Sequence, residues 1–340
     1  AETFWRKALK CEIRSKSARS IHKDRRPAGT LKQMVDSIVF AGTPLNAAQT
    51  LFELVSSGIE VSLVITRPDA PKGRKAVVTE SPVAIAARDL GLDVLKTNSI
   101  DEEAIVRIQK TQSQLGVVVA YGSILRSGAL AALDKGWYNL HYSLLPQLRG
   151  AAPVQHAIIG GLRETGVTLF KLDAGVDTGE YISQLKTKIE PGETAGRLLS
   201  RLTTLGGTLL LQELPAMFSG TSALQAQEGV STKAPKLSRD DARLYFSSDA
   251  SKLESLVLGC NPEPGAWAYL NGQPFKIHDA FAVPTQEAMP EGAVFEHGAE
   301  VAIRCANDTA LVIRQVQPSG KTSMSAQDWR RGASEFVRFE

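Results

Sequence analysis

Three cysteines in 340 residues, Cys11, Cys260 and Cys305, are odd in number, widely scattered and without metal-ligand spacing. They exclude a disulfide framework and a thiolate metal site, and they fit a reducing compartment. No apolar run is long enough to cross a bilayer as a helix, so no membrane partner is expected. No G-x-G-x-x-G follows the first strand-like segment, whose turn reads Gly42-Thr43-Pro44, so a dinucleotide-dependent dehydrogenase lacks its phosphate turn. The formal net charge is only +3, too weak by itself to argue for a nucleic-acid partner.

What is present is a globular composition, with 43% hydrophobic and 22% charged residues, in a chain whose length predicts two domains. Residues 1–36 stand apart: Arg6, Lys7, Lys10, Arg14, Lys16, Arg19, Lys23, Arg25, Arg26 and Lys32 outnumber the acids, and no apolar signal-peptide core accompanies them. A disordered basic arm, an organelle-targeting peptide and an appended segment upstream of Met34 compete as readings. An appended or disordered segment is expected over a functional one. The expected division is this extension, a catalytic domain at 37–228, a linker at 229–239 and a C-terminal β-barrel at 240–340.

From residue 37 the pattern is α/β. Strands are expected at 37–41, 60–66, 92–95, 116–121, around Asn139 and His141, and at 166–172. Helices are expected at 46–57, 82–90, 102–112, 155–159 and 194–218, with an extended segment at 180–190. Strand, turn, helix and strand at this spacing make a βαβ unit and predict a Rossmann-like parallel sheet. The run GVVVAY at 116–121 reads as a strand buried on both faces. Residues 67–82 form a long, Pro-punctuated loop carrying Arg67, Lys72, Arg74 and Lys75, either a solvated charged loop or a flexible basic finger for phosphates. Beyond the linker, 240–258 is expected to be largely helical. Short strands at 266–270, 275–282, 292–297, 301–305 and 310–317 then suggest a small OB-like barrel.

The stretch at 138–155, YNLHYSLLPQLRGAAPVQ, carries the chemistry. Strand periodicity puts Asn139 and His141 on one face, and a Pro/Gly loop follows, as at ligand-binding strand ends of open α/β sheets. An amide donor and a base that titrates near neutrality are the minimum for attack on a carbonyl. Asp177, in the Gly/Asp-rich loop at 173–179, is the candidate partner for the His ring, because carboxyl-end loops of a parallel sheet converge on one edge. The plainer alternatives are a structural histidine and a turn-forming aspartate.

FAGTP at 40–44, VAYG at 119–122, NLH-x-SLLP-x-x-RGAAPVQ at 139–155, TGV at 165–167 and D-x-G-x-DTG at 173–179 occur in order. APK at 234–236, NPEPGAW at 261–267 and QPSGK with MSAQDW at 317–329 follow them. Together they resemble the methionyl-tRNA formyltransferase family from about Ile38 to the carboxyl terminus. The resemblance implies transfer of the formyl group of 10-formyltetrahydrofolate, a co-substrate, to the α-amine of methionyl-initiator tRNA in a cytoplasmic, monomeric enzyme without a metal. It implies a catalytic trio of Asn139, His141 and Asp177. It implies folate contacts at Ser123, Ile124, Leu125, Ser143, Leu144, Leu145, Pro146, Asp173 and Gly175, and tRNA contacts at Arg67, Lys72, Arg74 and Lys75. Ser123, Arg126, Tyr142, Gln147, Leu148, Ala70, Lys233 and Leu258 depart from the family pattern. The alternatives are a related formyltransferase acting on an amino-sugar nucleotide or glycinamide ribonucleotide and, in another class, an RNA-binding module with an inactive core.

Overall fold

The computed structural model describes residues 36–72, 76–334 and 336–340. The basic extension up to residue 35, together with Arg74 and Lys75, lies outside the described residues.

The first sheet has seven strands in the order β5-β2-β1-β6-β7-β8-β9. These are β1 (Ser37–Gly42), β2 (Glu60–Thr66), β5 (Val94–Lys96), β6 (Leu115–Val119), β7 (Trp137–His141), β8 (Glu164–Lys171) and β9 (Tyr181–Lys188). The central strands β1 and β6 are buried at every residue, which explains why SIVFAG and LGVVV are unbroken apolar runs without alternation. Helices α1 (Leu45–Ser56) and α6 (Ala195–Ser219) pack on one face. There Phe40, Leu51, Leu54, Val64, Val117, Leu140, Leu198, Leu202 and Leu210 form a continuous core. On the other face Trp137, Leu63, Ile65, Ile108 and Tyr121 form a second. Gly116 permits this layer: a Cβ there would stand 2.1 Å from the Trp137 ring.

Local chemistry starts the helices. The Ser81, Asp101 and Thr194 side chains accept hydrogen bonds from the backbone N–H groups of Ala84, Ala104 and Arg197, capping α2 (Pro82–Asp89), α3 (Glu102–Lys110) and α6. Gly220, in the left-handed conformation at φ +72°, ends α6.

Two expectations require correction here. The sheet is parallel from β5 through β7 as expected, but beyond it β8 runs antiparallel to β7 and β9 antiparallel to β8. The loop at 67–82 is not wholly irregular either: β3 (Ala70–Lys72) and β4 (Val77–Thr79) pair as an antiparallel hairpin.

The C-terminal part is an antiparallel sheet in the order β10-β11-β14-β13-β12. Its strands are β10 (Trp267–Leu270), β11 (Gln273–Pro284), β12 (Val294–His297), β13 (Glu300–Arg304) and β14 (Thr309–Gln317), with β15 (Met324–Ser325) beside β14. The last residues bridge its two edges: Val294 N donates to Val337 O, Phe339 N to Gly292 O and Glu340 N to Tyr269 O. The expected helix at 240–258 is confined to a 3-10 turn, Asp240–Ala242, and α7 (Ala250–Gly259). Between them the period is two, not 3.6: Leu244 and Phe246 are buried, while Tyr245 is 50% exposed. Leu244 N donates to Trp267 O, so this segment lies along β10. Helix α7 packs on α5 (Pro153–Ile159), with Gly259 so close that a Cβ would meet Ile159 Cγ1 at 2.5 Å.

Candidate active site

The chain leaves β1 outward to β2 and β5, then returns to β6 and β7 on the other side. Such a switch point opens a crevice beyond the strands' carboxyl ends. Past β6 the backbone turns sharply, with Ala120 at φ +47° and Gly122 at φ +83°. Thr43 Oγ1 donates to Tyr121 O at 2.8 Å and clasps this turn to the end of β1. A cavity of about 360 Å³ lies here, lined among others by Ser123, Ile124, Leu125, Asn139, His141, Gly150, Asp173, Gly175 and Asp177. That size suits the ring end of a small organic ligand.

Asn139 and His141 come from β7, two residues apart and on one face. Among the described residues Asn139 makes no side-chain hydrogen bond, and its Oδ1 is buried without a partner. A buried amide left unpaired is a group waiting for something to bind. His141 is 5% exposed, and its Nε2 lies 2.9 Å from Leu148 O. A carbonyl only accepts, so the proton sits on Nε2 and Nδ1 carries the lone pair. Nδ1 faces Asp177 Oδ2 at 3.7 Å, too long for a hydrogen bond but close enough for strong electrostatic coupling. Burial pushes the imidazole below its ordinary value, opposed by the Asp177 charge and the Leu148 carbonyl. The ring is therefore a neutral base near pH 7, beside a carboxylate that steadies it once protonated.

Asp177 reaches this point by a route other than the one the sequence suggests. Because β8 is antiparallel, its end, Lys171, pairs with Tyr138 at the start of β7. The β8–β9 connection must therefore fold back toward His141. Asp173 shapes that return: its carboxylate accepts from Gly175 N at 3.0 Å and from Thr178 Oγ1 at 2.7 Å. Gly175 leaves no room for a side chain, since a Cβ would stand 2.0 Å from Thr178 Oγ1. The turn-forming aspartate of this loop is thus Asp173. Asp177, at φ +52°, accepts from Gly150 N at 2.8 Å through the oxygen that faces His141.

Of the expected folate contacts, Ser123, Ile124, Leu125, Asp173 and Gly175 line the cavity, with Leu125 buried and Ile124 71% exposed at the rim. Ser143, Leu144, Leu145 and Pro146 do not line it. They form a bend fastened to β8 and β9: Leu145 N donates to Thr168 Oγ1 at 3.1 Å, Gln184 Nε2 to Leu145 O at 2.8 Å, and Ser143 Oγ to Gln147 O at 2.6 Å. Arg67 sits at the rim, where Nη1 donates to Gly122 O at 3.1 Å. Lys72 lies in the exposed hairpin strand β3. Tyr142 is buried, and its hydroxyl accepts from Asn46 Nδ2 at 3.1 Å. Leu148 contributes its carbonyl to His141, a role that no side chain at that position reveals. Among the described residues there is no group of His, Cys, Asp and Glu fit to hold a metal, and no helix is long and apolar enough to cross a membrane.

Residues 36–214 match the formyl transferase family, and residues 236–334 match formyl transferase, C-terminal domain. The methionyl-tRNA formyltransferase of Leifsonia xyli subsp. xyli is 45% identical over 296 residues, covering 87% of this chain and 97% of the relative. That of Clavibacter sepedonicus is 43% identical over 297 residues, again covering 87% and 97%. Among solved structures, the N-formyltransferase from Helicobacter canadensis, in complex with folinic acid and dTDP-3-aminofucose, superposes with a TM-score of 0.61 at 17% identity. It covers 84% of this chain and 100% of that one, a likeness of fold. With both parts of the chain matched and near-full-length relatives above 40% identity, the chain belongs to the methionyl-tRNA formyltransferase family.

Proposed function

We propose that this site transfers the formyl group of 10-formyltetrahydrofolate to the α-amine of methionyl-initiator tRNA, in the compartment where translation starts. The observation that carries the reading is the meeting of Asn139, His141 and Asp177 at one cavity. The amine adds to the formyl carbon, and the carbonyl oxygen becomes an oxyanion. Asn139 Nδ2 donates to that oxyanion. His141 Nδ1 takes the proton the amine loses, with Asp177 facing the imidazolium that results. The tetrahedral intermediate then collapses. The bond from carbon to the folate N10 breaks, and His141 returns its proton to that nitrogen. Each atom and charge is accounted for without a covalent enzyme intermediate.

The ring end of the folate is assigned to the cavity walls at Ser123, Leu125 and the 173–177 loop, with Ile124 at the mouth. Lys72, Arg74 and Lys75 remain proposed tRNA contacts. Arg67 is assigned instead to holding the Gly122 turn. His141→Ala supplied with 10-formyltetrahydrofolate and methionyl-tRNA is expected to lose transfer while binding tRNA within a few-fold of the native chain. Near-native turnover in that variant sinks the catalytic assignment. Transfer by the native chain to an amino-sugar nucleotide but not to methionyl-tRNA sinks the substrate assignment.

A further inference from the structure

The segment after α6 has a second role besides joining the two parts of the chain. Gln225 pairs with Tyr181 of β9, and the chain then runs beneath the active-site loops. Gln227 touches both of them. Its Nε2 donates to Asp177 O at 2.9 Å and to Gly179 O at 2.8 Å. Its Oε1 accepts from Arg149 Nε at 3.1 Å and Nη2 at 2.6 Å. One side-chain amide therefore ties the loop carrying Asp177 to the loop whose next residue, Gly150, holds the Asp177 carboxylate.

The main chain of the same segment continues the clasp. Leu148 N donates to Thr232 Oγ1 at 2.8 Å, Arg149 N to Thr232 O at 2.9 Å, Ala234 N to Arg149 O at 2.7 Å and Ala152 N to Ala234 O at 3.0 Å. Gly150 lies so close to it, at φ +125°, that a Cβ would meet Ala234 O at 2.6 Å. Leu148 is the residue whose carbonyl holds His141 Nε2. Both ends of the His141–Asp177 couple thus hang on this one stretch.

We propose that Gln227 is a positioning residue for the reaction: by joining the Asp177 and Arg149 loops, it sets the approach of Asp177 to His141 and makes the segment after α6 part of the catalytic apparatus. The argument from loop geometry is physical. Asp177 and His141 sit 3.7 Å apart with no direct hydrogen bond to fix the distance, so it depends on the loops that carry them. Each loop is anchored at its strand end; the Gly150 N–H joins them through the Asp177 carboxylate, and Gln227 adds a second bridge that hydrogen-bonds to both. Among the described residues, the His141 ring meets the Leu148 carbonyl, the Phe170 ring at a right angle and, as its charged neighbour, Asp177. Separation of the two loops therefore removes attraction for the imidazolium and nothing that offsets it.

The proposal rests on the formyl-transfer reading for its kinetic consequence but not for its primary test. That test is the titration of the His141 ring by NMR in the full chain without substrates. Gln227→Met, of matched length and without either hydrogen-bonding end, is expected to lower the His141 midpoint, in the direction of Asp177→Asn. Gln227→Ala repeats the test should the methionine fit poorly. Gln225→Met, which alters the same segment at its contact with Tyr181, is expected to leave the midpoint in place. In turnover, Gln227→Met is expected to lower kcat about tenfold with both KM values within twofold. An unmoved midpoint in folded Gln227→Met and Gln227→Ala overturns the proposal, as does an equal shift in Gln225→Met. If the native chain fails to formylate methionyl-tRNA, the functional reading falls while the titration still decides the positioning role.

Discussion

Replacing Asp177 by Asn isolates the carboxylate's charge from its shape. Gly150 N donates to Asp177 Oδ2, the same oxygen that faces His141 Nδ1. In the variant that N–H selects the amide oxygen for the same place, so the loop keeps its geometry and only the charge is lost. The size of the loss follows from the 3.7 Å separation. A unit charge pair at that distance, in an effective dielectric of about 20, attracts by roughly 4–5 kcal/mol. The proton is only part-way to His141 in the transition state, so about half of this bears on the barrier, roughly 2 kcal/mol or about 30-fold in kcat. Full transfer sets an upper bound of roughly a few thousandfold. The direction in pH is also fixed. Asp177 raises the His141 value against a larger lowering by burial, so its removal lets the value fall further. The acid limb of the rate profile, where activity appears as the imidazole loses its proton, should move to lower pH in Asp177→Asn. The substrate amine titrates identically in both assays, so the difference between the two profiles reports the enzyme. Initial rates with saturating 10-formyltetrahydrofolate and methionyl-tRNA, from pH 5 to 8, measure both quantities. A kcat within threefold of native, or a limb displaced to higher pH, refutes the reasoning.

Two further outcomes concern stability. Gly150→Ala forces a side chain into φ +125° and against Ala234 O, so it is expected to cost at least the 1–3 kcal/mol of a strained backbone. At about 2–4 °C per kcal/mol, the melting temperature should drop by several degrees; an unchanged value would mean that the linker yields freely. Glu193 is buried and receives Arg201 through Nε at 3.1 Å and Nη2 at 2.9 Å, which with a backbone N–H holds its carboxyl below the ordinary 4.5 despite burial. A depressed folded value contributes stability that is present above the unfolded value and lost as pH falls through the folded one. Glu193→Gln should therefore cost roughly 1–3 kcal/mol at pH 7 by denaturant titration, with the deficit shrinking below about pH 4.5; a deficit constant across that range counts against the pair.

How far the sequence reveals this site depends on which atoms do the work. Strands β1 and β6 are legible because burial on both faces writes itself as a nearly unbroken apolar run, and α2, α3 and α6 because their apolar residues recur at the helical period. Asn139 and His141 are legible because the function proposed for them resides in side chains at a strand spacing. Asp177 faces His141, but not through the convergence of parallel strand ends that the sequence suggests. It meets His141 although β8 runs the other way, because Asp173 and Gly175 bend the loop back. The remaining parts were not legible, and for one physical reason. The Leu148 carbonyl and the Gly150 N–H are main-chain groups, which every sequence possesses at every position. Gln227 is a side chain, but it lies 50 residues beyond Asp177, just ahead of the expected linker, in a segment whose sequence carries no motif. Its meaning arises from where β9 and α6 leave the chain, and that is a property of the fold. Leu148, a departure from the family pattern within the 138–155 stretch, follows the same rule. Leu148 presents its backbone to His141 while its side chain packs against Ala157 and Ala234. A change of side chain there alters the packing of the linker and reaches the imidazole only through the carbonyl it positions.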